Sequence, residues 1–155
     1  MLGDLYLVIN QETESIRLFR ESLSIYKRLK VLKDQAGLGG GGGDKRALLS
    51  IQASLARALC SGPDSDEAME LFRVTIAEEA AHVGPFHHNL LTKYYNAGVC
   101  AAGKGLIVEA IEYMNRCLKT CESNPHIPKD GTCSRVQGHL NDLQRRRRFA
   151  PVEDL

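Results

Sequence analysis

The stretch NAGVCAAGKGLIVEAIEYMNRC, from Asn96 to Cys117, decides the fold because its small and large apolar residues recur elsewhere at the same spacing. The stretch LARALCSGPDSDEAMELFRVT, from Leu55 to Thr75, repeats the arrangement. Corresponding positions lie 42 residues apart, as between Ala68 and Ala110 (110 minus 68). A less complete copy near the N-terminus consists of Leu2-Gly3, Tyr6, Ser15, Phe19 and Ser22. A period of this size is typical of a solenoid of stacked helix pairs.

Small and large residues alternate at helical spacing within each copy. The second copy has Leu55-Ala56, Leu59, Pro63, Ala68, Phe72 and Thr75, and the third has Ala97-Gly98, Ala101, Gly105, Ala110, Met114 and Cys117. Small residues allow one helix to lie close to the next, and the large ones fill the space between helices. We therefore predict an all-α solenoid of about three antiparallel helix pairs, followed by a C-terminal capping helix.

These positions resemble the tetratricopeptide repeat, whose signature combines L-G-x2-Y with a later A-x3-F. Leu2-Gly3 with Tyr6 matches the first part, and Ala68 with Phe72 matches the second. The 42-residue period is similar to the long repeats of kinesin light chains, which have a G-P-x-H-P linker before N-N-L-A. Here the linker reads Gly84-Pro85-Phe86-His87, and Tyr95-Asn96-Ala97-Gly98 follows.

Periodicity and chain breaks predict the elements. We predict helices at 1–9, 12–33, 45–61, 66–82, 88–103, 106–122 and 132–148, with a turn at Asn10-Gln11. Ile16, Phe19, Leu23 and Tyr26 form one apolar stripe of the second helix. A helical domain then spans residues 1–148, and 149–155 form a tail.

Two features depart from a regular array. Leu2 already occupies the seventh repeat position, so the first repeat is incomplete and the chain is expected to belong to a longer array or a truncated product. The first and second copies are 53 residues apart, which leaves an 11-residue insertion (53 minus 42) around the glycine run. We expect residues 37–44 to form a flexible loop. A helix precedes this run and Asp44 follows it, which excludes dinucleotide and phosphate-loop motifs.

Composition limits the function classes. The 155 residues carry a net charge of +1, which excludes a strongly basic nucleic-acid binder, and no apolar run is long enough to span a bilayer. Five cysteines without a disulfide-style spacing indicate a reducing, cytoplasmic compartment. A nuclear location is the alternative, because a basic cluster is typical of nuclear localisation elements, and this chain has one at Arg145, Arg146, Arg147 and Arg148. We also expect the helix to fray at this cluster, because four neighbouring like charges repel one another.

Neither a metal site nor a catalytic site is predicted. Zinc ligands are available in Cys117, Cys121, His126, Cys133 and His139, but their spacing does not match a compact zinc module. Cys117 and Cys121 continue a buried stripe, where free cysteine acts as a small apolar residue. No nucleophile motif surrounds any cysteine. We expect structural cysteines, no cofactor and no enzymatic activity.

The resemblance implies a protein-interaction module that binds an extended peptide in a concave groove. The groove residues it implies are Ser50, Ala53, Ser54 and Arg57 from the second pair, and Thr92, Tyr95, Asn96 and Val99 from the third. Asn96 occupies the position where an amide would bridge the peptide backbone. Two alternatives remain open. One is a structural fragment that self-associates through its incomplete first repeat, and the other is a nuclear module that contacts nucleic acid through Arg145–Arg148.

Overall fold

The computed structural model describes residues 2–38, 42–128 and 131–149, and every regular element within these ranges is helical. The six α-helices are α1 (Leu2–Gln35), α2 (Gly42–Leu59), α3 (Ser65–Val83), α4 (Leu91–Gly103), α5 (Ile107–Ser123) and α6 (Thr132–Phe149). A short 3-10 helix, His88–Leu90, precedes α4. The predicted all-α class is therefore confirmed. No helix among the described residues combines the length and apolar character required to cross a membrane.

The breaks after α2, α3 and α4 lie where glycine and proline predict them. Gly62-Pro63 separates α2 from α3, since proline cannot continue a helix interior. Gly84 and Gly105 have φ angles of +93° and +79°, in the left-handed region that glycine adopts without strain. The bounds of α2 to α6 accordingly lie within three residues of the predicted ones.

The N-terminal prediction of two helices is wrong. α1 is one continuous helix of 34 residues, without a turn at Asn10-Gln11. Neither residue is a strong helix breaker, and only the register of the repeat suggested a turn there. The prediction of a loop over residues 37–44 is wrong at its end, because α2 already begins at Gly42 and so includes residues 42–44. Residues 39–41 lie outside the described part of the chain.

The helical repeat positions of the second and third copies are buried, whereas the turn positions Pro63 and Gly105 are exposed. Relative exposure is at most 1% for Leu55, Ala56, Leu59, Ala68, Phe72, Thr75, Ala97, Ala101, Ala110, Met114 and Cys117. The first copy differs, because Ser15 and Phe19 are only half-buried and Ser22 is exposed. Burial thus follows the alternating pattern wherever the copy is complete.

The chain divides into two compact units, Met1–Thr75 and Ile76–Leu155. In the first unit α1 contacts α2. The stripe predicted on α1, Ile16, Phe19, Leu23 and Tyr26, is half-buried. Arg20 Nη2 donates to Glu67 Oε2 at 2.7 Å, and this exposed ion pair contributes no more than about 1 kcal/mol.

In the second unit α5 contacts both α4 and α6. α4 approaches α5 closely at Gly98, where an added Cβ would lie 2.8 Å from Met114 Cε and 3.3 Å from Tyr113 Cβ. Lys93 Nζ lies 2.7 Å from Glu79 Oε2 in a largely buried ion pair, which joins the end of α3 to α4. The last helix runs to Phe149, so the predicted fraying at Arg145–Arg148 is wrong. Residues 150–155 of the predicted tail lie outside the described part.

Candidate functional site

One face of α4 is left open by the rest of its unit. Leu91, Tyr94, Ala97, Gly98 and Ala101 are buried on the other faces of this helix. Thr92 and Val99 are exposed, Val99 by 40%, and Asn96 between them is half-buried. Spacings of four and three residues place Thr92, Asn96 and Val99 on one side of a helix. The predicted third-pair residues are therefore brought together; we call this side of the helix the α4 face.

Asn96 is the group on the α4 face with the most hydrogen-bonding capacity. Its amide makes no hydrogen bond to any residue in the described ranges. A primary amide has two donor hydrogens and an acceptor oxygen, which match the carbonyl and N–H of an extended backbone. Thr92 adds a hydroxyl one turn earlier, and Val99 adds an apolar contact one turn later. The face can thus receive a chain that is polar along its backbone and apolar at one side chain.

α6 borders the α4 face through two polar contacts. Tyr95 Oη and His139 Nε2 are 3.1 Å apart, and their rings meet edge to face at 5.6 Å. Further along, Arg146 Nη2 donates to the carbonyl of Ala102 at 3.4 Å. Tyr95 is therefore held by α6. Neither His139 nor Arg146 was predicted to lie in this region, although His139 follows Tyr95 by 44 residues, close to the 42-residue period.

The predicted second-pair residues lie on α2, in the other unit. Ser50 and Arg57 are exposed, and Ala53 and Ser54 are half-buried. Their spacing places all four on one side of α2. Arg57 also borders a cavity of about 450 Å³ between α1 and α2, whose other lining residues are Gln11, Glu12, Ser15, Phe19, Ala58 and Ser61. The α2 residues form a coherent surface within their own unit.

The basic cluster occupies the last turn of α6. Arg145, Arg146, Arg147 and Arg148 are all exposed. Cations in this position interact favourably with the partial negative charge at a helix C-terminus. That interaction offsets part of the repulsion between neighbouring arginines and accounts for the helix continuing through the cluster.

The linker histidines have a structural role. His87 Nδ1 accepts a hydrogen bond from the backbone N–H of Asn89 and caps the 3-10 helix before α4. The ring of His88 lies 4.2 Å from that of His87 and 5.6 Å from that of His126. Within residues 2–38, 42–128 and 131–149, no three His, Cys, Asp or Glu side chains form a group that could hold a metal ion.

The expectation of unpaired cysteines is wrong for most of them. Cys121 and Cys133 form a disulfide between the end of α5 and the start of α6, with their Cα atoms 6.2 Å apart. Neither Cys60 nor Cys100 carries a free thiol. Cys133 is buried, as Cys117 is. The end of α5 and the start of α6 lie close together, which residue spacing did not reveal.

Cys117 is the remaining free thiol, and it is buried between α4 and α5. Its Sγ lies 3.6 Å from the carbonyl oxygen of Leu91. Burial raises the pKa of this thiol from 9.0 to about 12, because a thiolate would lose its hydration there. A thiol in this state is a poor nucleophile at neutral pH.

We expect native Cys117 to resist alkylation by iodoacetamide at pH 8 and to react readily once the chain is unfolded. The pKa of the Cys117 thiol is higher in the folded chain than in the unfolded chain. The free energy of unfolding is therefore unaffected by this group below about pH 9, and it falls as the pH rises from there towards 12. Mass spectrometry of native and denatured samples under non-reducing conditions measures the labelling. Rapid labelling of the native chain would contradict burial of the thiol.

No protein-family model, curated protein or solved structure matches this chain.

Proposed function

We propose that this chain is a non-catalytic protein-interaction module of the tetratricopeptide-repeat type, which binds an extended peptide of a partner protein along the α4 face. The observation that carries the proposal is the exposed side of α4, where Asn96 has an unused amide between Thr92 and Val99. Burial of the repeat positions in two copies supports the solenoid interpretation.

The chemistry of the α4 face suits a peptide backbone. The Asn96 amide can donate to a peptide carbonyl and accept from a peptide N–H at the same residue. Tyr95 is fixed by His139, so the border of the face loses little side-chain freedom when a ligand binds. Val99 offers an apolar contact to one ligand side chain. Backbone bonds would supply affinity, and the neighbouring side chains would supply selectivity.

A second candidate function is nucleic-acid contact through the basic cluster. All four arginines are exposed at the end of an intact helix. Binding of this kind releases counterions, so its affinity falls steeply with salt concentration. Peptide binding along the α4 face, which is mainly uncharged, depends much less on salt. A salt titration of binding separates the two functions.

Replacing Asn96 with alanine is expected to weaken peptide binding by about 1–3 kcal/mol, since the peptide groups would lose their partner in a partly desolvated contact. The ligand is an extended peptide selected from a displayed random library against the full chain. Calorimetry gives its affinity for the wild type and for the variant.

Asn115→Ala is the matched control, because Asn115 is an exposed asparagine on α5, away from the α4 face. This variant should keep wild-type affinity and wild-type thermal stability. Equal affinity of Asn96→Ala and wild type for all selected peptides would place the binding surface elsewhere on the chain.

A further inference from the structure

α1 has a second apolar side in addition to the one that contacts α2. Leu18, Ile25, Leu29 and Leu32 are all aliphatic, and their relative exposures range from 49% to 60%. At 100° per residue these four side chains lie within a sector of about 60°. The half-buried stripe of Ile16, Phe19, Leu23 and Tyr26 lies on the opposite half of the helix. Exposed aliphatic residues are common singly, but an aligned row on one helix indicates an interaction surface.

The spacing of this row is that of a coiled coil. Leu18, Ile25 and Leu32 recur every seven residues, and Ser22 and Leu29 follow the first two of them by four. Alternating steps of four and three are the a and d positions of a heptad repeat, which keep one seam facing a partner helix. In this register Leu18, Ile25 and Leu32 are d residues, and Ser22 and Leu29 are a residues. We call the row of Leu18, Ser22, Ile25, Leu29 and Leu32 the α1 seam. The partner that fits the α1 seam is another α-helix.

The charges beside the α1 seam favour a second copy of this same helix. Glu21 and Arg28 occupy successive g positions on the side of the seam away from the α2-facing stripe. In an antiparallel pair, g residues of the two helices face each other. Setting Leu18 opposite Leu29 and Ser22 opposite Ile25 places Glu21 of each copy beside Arg28 of the other. A parallel pair would instead bring Arg28 towards Lys33 of the other copy, which is repulsive.

We propose that the chain forms a symmetric dimer in which the α1 seams of two copies pair as a short antiparallel coiled coil. The same surface serves both copies, as a two-fold interface requires. The Ser22–Ile25 layers are small enough for the two helices to approach closely. Glu21 lies 3.6 Å from Arg17 of its own helix, and because both side chains are more than half exposed, this contact can exchange for the intermolecular one. The dimer does not depend on peptide binding at the α4 face.

The first test is the mass of the full chain in solution. Sedimentation velocity over a range of concentrations should show a shift from the 17.1 kDa monomer to twice that mass. Ile25→Lys is expected to raise the dimer dissociation constant by about 100-fold or more, because it places two charges in the centre of the seam. Val108→Lys is the matched control, since Val108 is equally exposed, at 51%, but lies on α5. Circular dichroism verifies that both variants remain folded.

A charge exchange then tests the antiparallel register. Glu21→Arg alone and Arg28→Glu alone should each weaken the dimer about tenfold, because each puts like charges face to face. The double variant should return to nearly wild-type affinity, since it restores both pairs with their signs reversed. A monomer at all concentrations would overturn the proposal, as would a dimer that Ile25→Lys leaves intact. Failure of the double variant to recover would overturn the antiparallel arrangement.

Discussion

Replacing Tyr94 with alanine should lower the free energy of unfolding by about 3–5 kcal/mol, as for other large aromatic residues removed from a core. Tyr94 is fully buried in α4, and its ring lies 6.4 Å from that of Tyr113 on α5. The guanidinium of Arg116 lies 5.8 Å above the ring and adds a cation–π contact. Alanine would lose these contacts and leave a cavity that the rigid helices fill only in part.

The hydroxyl of Tyr94 contributes separately. It donates to the carbonyl of Pro85 at 2.8 Å and so ties the linker before α4 to the helix. Tyr94→Phe should therefore cost about 1 kcal/mol, the net value of one hydrogen bond. Burial also raises the pKa of this hydroxyl, while Arg116 opposes the rise. Stability from this group is full at neutral pH and is lost in alkali as the pH passes the folded pKa.

Urea unfolding followed by circular dichroism measures both variants. Tyr95→Ala is the comparison, because Tyr95 is the next residue but is only half-buried and contacts His139 at the surface. Its effect should be well below that of Tyr94→Ala. Similar losses for the two alanine variants would contradict the assignment of Tyr94 as the central aromatic residue of α4.

Opening the Cys121–Cys133 disulfide is the second large change, with an expected loss of about 3 kcal/mol. The bond closes a loop with a sequence separation of 12 between α5 and α6. Without it, the unfolded chain gains the freedom that the cross-link removes. The docking of α6 would then depend on burial of Val136, Leu140 and Leu143 and on its polar contacts with α4.

Two single variants and one double variant isolate the bond from the side chains. Cys121→Ala and Cys133→Ala should each destabilise strongly, and the double variant should add little, because either change already removes the same bond. Thermal unfolding with and without reducing agent gives an upper limit to the contribution of this bond, because the reducing agent also acts on Cys60 and Cys100. Additive losses in the double variant, or a melting temperature that reducing agent leaves unchanged, would show that the disulfide contributes little.

The sequence predicts the helical class and most helix ends, because these depend on local chemistry. Gly84 and Gly105 adopt positive φ angles, and Gly62-Pro63 ends a helix whether or not the surrounding residues belong to a repeat. The 42-residue period also identifies buried positions such as Ala68 and Met114, since helix spacing alone determines which residues share a side. For the same reason the sequence alone predicts that Thr92, Asn96 and Val99 share one side of a helix.

Local pattern was insufficient for features that depend on how the helices meet. The register of the repeat places a turn at Asn10-Gln11. Both residues are nevertheless compatible with a helix, and they lie within the continuous helix α1. Cys121 and Cys133 are 12 residues apart, and the packing of α5 against α6 brings their Cα atoms to 6.2 Å. The contact of Tyr95 with His139 likewise requires α4 and α6 to be neighbours. Residue spacing thus determined which side chains share one side of a helix. The packing of the helices against one another decided which thiols and polar groups bond, because those contacts require helices to approach in three dimensions, and local propensity does not encode that approach.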